Sequence, residues 1–241
     1  MKIILKIQRF NPETDQAPYF REYQVEVQPT DRVLDALMSV KSSQDGSLAF
    51  RKSCGHGVCG SDAMLINGKE RLACKTLVRD VAQGEGDVVT IQPLKHLRLQ
   101  RDLMVEQGEF FARWRSVQPY LISALPTPEA RERLQSPEER LAYEDPTKCI
   151  LCAACFSACP VLDAKNPRFV GPAAIANAAR FVFDSRDTGL SERLPVLDHP
   201  DGVWACENHF ECTRVCPRGI KVTKNINLTK RRISALREGG R

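Results

Sequence analysis

The chain has 241 residues, room for one large domain or two ordinary ones that each bury a core. Its apolar share of 42 % excludes a disordered tail, and no run approaches the ~18 apolar residues of a membrane span; the best stretch, Pro172 to Phe183, is broken by Asn177 and Arg180. A net charge of +5 with a basic tail (Lys221, Lys224, Lys230, Arg231, Arg232, Arg237 and Arg241) reads as a solvated helix face, with anionic lipid headgroups as the sharper reading. Nucleic acid is not expected, because the excess is modest and no aromatic-rich reading surface accompanies it.

The opening run, Met1 to Arg9, carries charge every few residues and has neither an apolar h-region nor a cleavage site, so no secretory signal is read. In a reducing compartment ten cysteines point to metal ligation over disulfides. Ile3, Leu5 and Ile7 alternate with polar neighbours and predict a strand over Lys2 to Arg9; Tyr23 to Val27 alternates again. Thr30 or Asp31 is expected to cap a helix with Val33, Leu34, Leu37 and Val40 on one face. Short strands are expected at Ala63 to Ile66, ending in the turn pair Asn67-Gly68, and at Val88 to Pro93. Two strands, a helix and short strands around a cysteine loop give the order of a β-grasp, ferredoxin-like domain.

That loop holds the first cysteine group, Cys54-x4-Cys59-x2-Asp62, completed by Cys74. The spacing is that of a plant-type 2Fe–2S centre with Asp62 at the third position. Each iron needs two protein ligands, so a carboxylate at that offset can fill the vacancy; the other reading leaves Asp62 as a hydrogen-bond acceptor beside the cluster. Gly55, Gly57 and Gly60 let the backbone wrap closely and aim N–H groups at the sulfurs.

Beyond Pro93 the pattern becomes helical. Leu103 to Val117 carries Phe110, Phe111 and Trp114 on adjacent turns, Pro126 to Pro137 is a charged connection, and helices are expected over Ala173 to Phe183 and Thr223 to Leu236. The boundary is expected near Lys95 to Asp102, giving domains 1–100 and 101–241. Cys149-x2-Cys152-x2-Cys155-x3-Cys159-Pro160 is the bacterial ferredoxin run, whose fourth cysteine reaches across to another cluster. Zinc sites pair cysteines across a longer loop, so this spacing is a poor zinc motif. The same template laid on Cys206, Cys212 and Cys216-Pro217 puts His209 at its second position. By the crossing rule Cys149, Cys152, Cys155 and Cys216 hold a 4Fe–4S cluster. Cys159, Cys206 and Cys212 then hold a 3Fe–4S cluster, unless the His209 imidazole also ligates. All ten cysteines are used. Three clusters in series imply a one-electron relay.

With those residues in view, the chain resembles the iron–sulfur subunits of succinate dehydrogenase and fumarate reductase over essentially its whole length. The likeness rests on Arg51 to Asp62, Asn67-Gly68, Leu72-Ala73-Cys74, Cys149 to Cys152, Phe169 to Ala173, Asp184 to Asp187 and Cys212 to Pro217. It implies an α+β fold: an N-terminal β-grasp 2Fe–2S domain plus a C-terminal all-α, bacterial-ferredoxin-like domain. It implies electron transfer from an FAD-bearing dehydrogenase subunit, which oxidises succinate to fumarate, through the clusters to quinone. It also implies membrane-anchor subunits, sometimes with haem, that hold the chain at the cytoplasmic face of the membrane. Pro160, His209 and Lys230 fall where the family approaches quinone. Val161 to Lys165 lacks the tryptophan of ubiquinone-using members, Glu207 stands where they carry histidine, and Gly202 to Cys206 resembles fumarate reductases, so menaquinone is the weakly favoured acceptor. The chain has no G-x-G-x-x-G fingerprint and no catalytic triad, so it is expected to be inert alone. The competing readings are the reverse, fumarate-reducing direction, a freestanding ferredoxin-like carrier, a zinc protein, and a subunit of another flavoprotein dehydrogenase.

Overall fold

The computed structural model describes residues 1–126 and 132–239. Residues 127–131 of the proline-marked connection, and Arg241 of the basic tail, lie outside the described residues. The chain folds as two compact units, each assembled from two stretches: Met1–Gln107 with Ile150–Ala158, and Gly108–Cys149 with Cys159–Arg241.

In the first unit, β1 (Lys2–Arg9) pairs antiparallel with β2 (Tyr19–Glu26) and parallel with β5 (Val88–Gln92). β3 (Ala63–Ile66) pairs antiparallel with both β5 and β4 (Lys69–Leu72), giving the order β2-β1-β5-β3-β4. The alternation in β1 does what its period requires: Ile3, Leu5 and Ile7 are buried while their neighbours are not. Asn67 and Gly68 both take positive φ, 49° and 73°, as the two-residue β3–β4 hairpin demands. Strand β4, which no sequence pattern announced, is the product of that turn.

Helix α1 (Val33–Ser43) buries Val33, Leu34, Ala36, Leu37 and Val40. Its N-cap is Arg32, not Thr30 or Asp31. The Asp31 carboxylate is engaged upstream, accepting from the Gln28 amide at 2.7 Å, and the Arg32 amide is satisfied by Asp35 at 3.0 Å. A second difference lies at 103–107, which was expected to start a helix. There β6 (Leu99–Arg101) and β7 (Met104–Val105) form a small hairpin, and α2 runs only over Gly108–Ser116. The cause is Asp102, buried at its turn with φ 48°, whose carboxylate accepts from Arg9 Nε (3.0 Å), the Phe10 amide (2.9 Å) and the Ala49 amide (2.8 Å). Three donors aimed at one buried carboxylate outweigh local helix propensity.

Arg9 also pairs with Asp45 (2.6 Å) and donates to the Tyr23 hydroxyl, which donates to Asp45 at 2.7 Å. Burial, reinforced by the Asp45 carboxylate, pushes the Tyr23 phenol up to about 12. Its unfolded value is about 10, so the folded chain holds this proton more tightly. The contribution is fully present below about pH 10 and is lost as pH rises through about 12. Urea midpoints should therefore fall across that window in step with tyrosinate absorbance. A Tyr23→Phe chain should lose this part of the alkaline slope, after giving up about 1 kcal/mol at neutral pH with its hydrogen bond to Asp45.

The segment Ile150–Ala158 completes this unit. The short helix α4 (Ala154–Ser157) ends in a buried serine whose hydroxyl accepts from the Lys95 amide (2.9 Å) and donates to Glu70 (2.8 Å).

The second unit is helical: α2, α3 (Pro137–Glu144), α5 (Pro172–Val182), α6 (Leu190–Leu197), α7 (Glu211–Arg214) and α8 (Val222–Gly239). Ser136 caps α3, its hydroxyl accepting from the Glu139 amide at 3.2 Å while the Ser136 amide donates to the Glu139 carboxylate at 2.8 Å. Nine of the eleven residues of α5 are buried, and α2, α3, α6 and α8 pack around it. Its many alanines let those helices come close. Among the described residues no helix is long and apolar enough to cross a membrane.

Candidate metal centres

Cys54, Cys59 and Asp62 of the first group lie in the loop between α1 and β3, and Cys74 follows β4. Cys54 Sγ accepts from the amides of His56 and Cys59, each at 3.3 Å, and these donors, with Val58, pull its thiol down to about 6. Cys59 Sγ is met by the Ser61 hydroxyl at 3.1 Å and the Ser61 amide at 3.5 Å. Such a nest of N–H groups prepares the sulfurs for negative charge. Gly60 is required twice over. Its φ is +70°, and a Cβ there would stand 2.6 Å from Cys152 Cβ and 3.0 Å from Cys152 Cα. The first loop therefore rests directly on a cysteine of the second group, within one unit.

Asp62 is 3 % exposed; its Oδ2 accepts from the Cys74 amide at 2.6 Å, and its Oδ1 is buried without a partner. A buried carboxylate with an unsatisfied oxygen is costly unless a cation meets it. The iron of a cluster is such a cation, and the chemistry of two thiols, a third at Cys74 and this carboxylate fits a 2Fe–2S core. Burial and the nearby Asp62 push the Cys74 thiol up to about 12.

Of the second group, Cys152 and Cys155 belong to the first unit, beside the left-handed residues Leu151 (φ 54°) and Ala153 (φ 62°). Cys149 and Cys216 belong to the second unit, where Asn177 Nδ2 lies 3.4 Å from Cys149 Sγ. Sequence reasoning noted Asn177 only as a break in an apolar run. Its spacing from Cys149 gives no signal, because the contact is made through space from α5.

The third group is gathered in the second unit. Cys159, Cys206 and Cys212 line one pocket together with Pro160, Phe169 and His209. Asn208 (φ 61°) and Phe210 (φ 65°) turn the chain between the second and third of these cysteines. Burial, with the other two thiols adding to it, pushes Cys159 up to about 11; burial likewise raises Cys212, whose sulfur is 3.4 Å from the Thr223 hydroxyl. His209 Nε2 is 2.9 Å from Glu207, which also pairs with Lys165 at 2.5 Å. Lys230 Nζ donates to the Cys206 carbonyl at 2.7 Å. Pro160 opens a π-helical turn over Val161–Lys165, an irregularity frequent at functional sites.

None of the ten cysteines is in a disulfide. Among the described residues no three His, Cys, Asp or Glu side chains converge at the spacing of a single metal ion. Cluster ligands are spread over two or more irons and do not need that convergence.

Residues 4–112 match the family model described as a 2Fe-2S iron-sulfur cluster binding domain, and residues 145–220 match that of a 4Fe-4S dicluster domain. Fold and site thus define a two-domain iron–sulfur protein. The fumarate reductase iron-sulfur subunit of Mycobacterium tuberculosis is 41 % identical over 91 % of this chain and 87 % of its own length. The succinate dehydrogenase iron-sulfur subunit of Coxiella burnetii is 40 % identical over 91 % of this chain and 92 % of its own. A chain of the Mycobacterium smegmatis Sdh1 complex in the apo form superposes with a TM-score of 0.86 at 28 % identity, covering 97 % of this chain and 96 % of that one. The chain belongs to the family of iron–sulfur subunits of succinate dehydrogenase and fumarate reductase.

Proposed function

We propose that this chain is the electron-transfer subunit of a succinate:quinone oxidoreductase, taking single electrons from an FAD-bearing partner and delivering them to membrane quinone. Cys54, Cys59, Asp62 and Cys74 hold a 2Fe–2S cluster; Cys149, Cys152, Cys155 and Cys216 a 4Fe–4S cluster; Cys159, Cys206 and Cys212 a 3Fe–4S cluster. When bound, these groups accept and release one electron at a time. The observation that carries the reading is the seating of Gly60 on Cys152, which brings the loops of the first two cysteine groups together, a proximity that supports a relay. The 3Fe–4S assignment is supported by His209, whose Nε2 is turned to Glu207 while three thiols line the pocket.

Quinone is read to approach at Pro160, His209 and Lys230; the reading is supported by their position at the third group, where two line its pocket and Lys230 donates to the Cys206 carbonyl. Menaquinone is the acceptor favoured by Glu207 and the segment Val161 to Lys165. Anchor subunits, with or without haem, keep the chain at the cytoplasmic face of the membrane. A chain of single-electron steps runs in either direction, set by the potentials at its two ends, so the same residues serve fumarate reduction.

The test is low-temperature EPR on the purified complex. A 3Fe–4S signal is expected in the oxidised state, and succinate should bleach it through the relay. An intact, active preparation without that signal would sink the three-iron assignment and make His209 a ligand. Iron and sulfide absent, with zinc in their place, would sink the whole reading.

A further inference from the structure

Helix α5 buries proline, alanines, isoleucine and phenylalanine, and one polar side chain among them, Asn177, which is 7 % exposed. A buried amide costs free energy unless its hydrogens are placed. One hydrogen of Nδ2 goes to the Ala173 carbonyl at 2.8 Å, four residues back along the helix, and that carbonyl acceptor identifies the nitrogen and fixes the amide's orientation. The other hydrogen is aimed at Cys149 Sγ, 3.4 Å away. Both groups lie in the second unit, so the contact is internal to it.

We propose that Asn177 sets the reduction potential of the second centre by donating a hydrogen bond to the Cys149 thiolate. The inference rests on the reading that Cys149, Cys152, Cys155 and Cys216 hold a 4Fe–4S cluster. One electron added to that centre makes its thiolate-bound core one charge more negative and breaks no bond. A fixed N–H dipole pointing at a ligand sulfur stabilises the more negative state, which raises the potential. Little water competes for a donor this buried, so the effect is not screened away. Asn177 is thus a positioning residue for charge, acting through Cys149.

The experiment is an EPR-monitored redox titration of the purified complex carrying Asn177→Leu or Asn177→Ala. The 4Fe–4S midpoint should move negative in both variants, with the 2Fe–2S and 3Fe–4S midpoints, and the iron and sulfide contents, unchanged. Three unchanged midpoints would overturn the inference and leave Asn177 a purely structural amide. A shift confined to the three-iron centre would overturn the ligand assignment beneath it, and absence of any 4Fe–4S signal from the unmodified complex would do the same. If neither variant assembles, the unmodified complex labelled with 15N-asparagine decides the matter. The reduced 4Fe–4S signal should show a 15N coupling, and its absence would refute the contact.

Discussion

Replacing Asp62 by asparagine is expected to empty the first centre while leaving the other two loaded. The amide can still accept from the Cys74 amide, a bond the carboxylate now makes at 2.6 Å, so local structure is preserved. What disappears is the anionic oxygen, Oδ1, that sits buried without a partner. A neutral amide is a poor substitute for a carboxylate on iron. The reduced 2Fe–2S signal should vanish and the iron content should drop by the two irons of that cluster. Succinate should then no longer reduce the downstream centres. Asp62→Cys restores an anionic ligand at the plant-type position and should keep the cluster with an altered potential. If Asp62→Asn retains a full 2Fe–2S signal, the aspartate is only an acceptor beside the cluster. The apo chain should show the opposite trend in stability: removing a buried charge that lacks a cation should raise, or leave unchanged, its resistance to urea.

The largest stability loss outside the centres is expected at Arg193. Its guanidinium is fully buried and forks onto Asp187, Nη1 to Oδ1 at 2.7 Å and Nη2 to Oδ2 at 3.1 Å. It also donates to the Gln118 carbonyl (3.2 Å) and the Tyr120 carbonyl (2.7 Å), and lies 5.3 Å from the Phe181 ring centre. Asp187 in turn accepts from the amides of Ile122 (2.9 Å) and Gly189 (2.8 Å). One ion pair thus ties the irregular segment 118–122 to α6 and to the core helix α5. Arg193→Ala strands a buried carboxylate and should cost about 3–5 kcal/mol, lowering Tm by roughly 6–20 °C. Arg193→Lys keeps the charge but not the fork and should recover only part of that loss. A loss under about 1 kcal/mol for the alanine variant, the scale of an exposed pair, would mean that water fills the site and that the pair does not hold the segment.

Much of this architecture is written in short-range pattern. The alternation of Ile3, Leu5 and Ile7, the pair Asn67-Gly68 and the apolar spacing of α1 and α5 each report a local rule that the fold obeys. The cysteine groups stand out for the same reason: most members of each group are a few residues apart, so spacing stands in for geometry there, while which cysteines join across groups is a matter of rule and resemblance. What escaped is whatever depends on a partner far along the chain. Asp102 turns an expected helical stretch into a hairpin because Arg9, Phe10 and Ala49 reach it from elsewhere. Asn177 looked like a flaw in an apolar run until Cys149 stood beside it. The cap of α1 moved to Arg32 because Asp31 was already spoken for by Gln28.

The seat of Cys152 against Gly60, and of Ser157 between Lys95 and Glu70, has a consequence for how the molecule is made. A ribosome releases the whole β-sheet, then residues 108–149, and only afterwards the segment 150–158 that finishes the first unit. At ~5–20 residues per second, that interval is roughly 2–8 s. Through it Gly60 has no Cys152 to meet, and Glu70 has no Ser157 hydroxyl to accept from. The first cysteine group is complete by then, since Cys74, just after β4, has long emerged. Biogenesis is thereby ordered: the first cysteine group is present before the domain is finished, and the piece that closes that domain arrives carrying Cys152 and Cys155 of the second cysteine group.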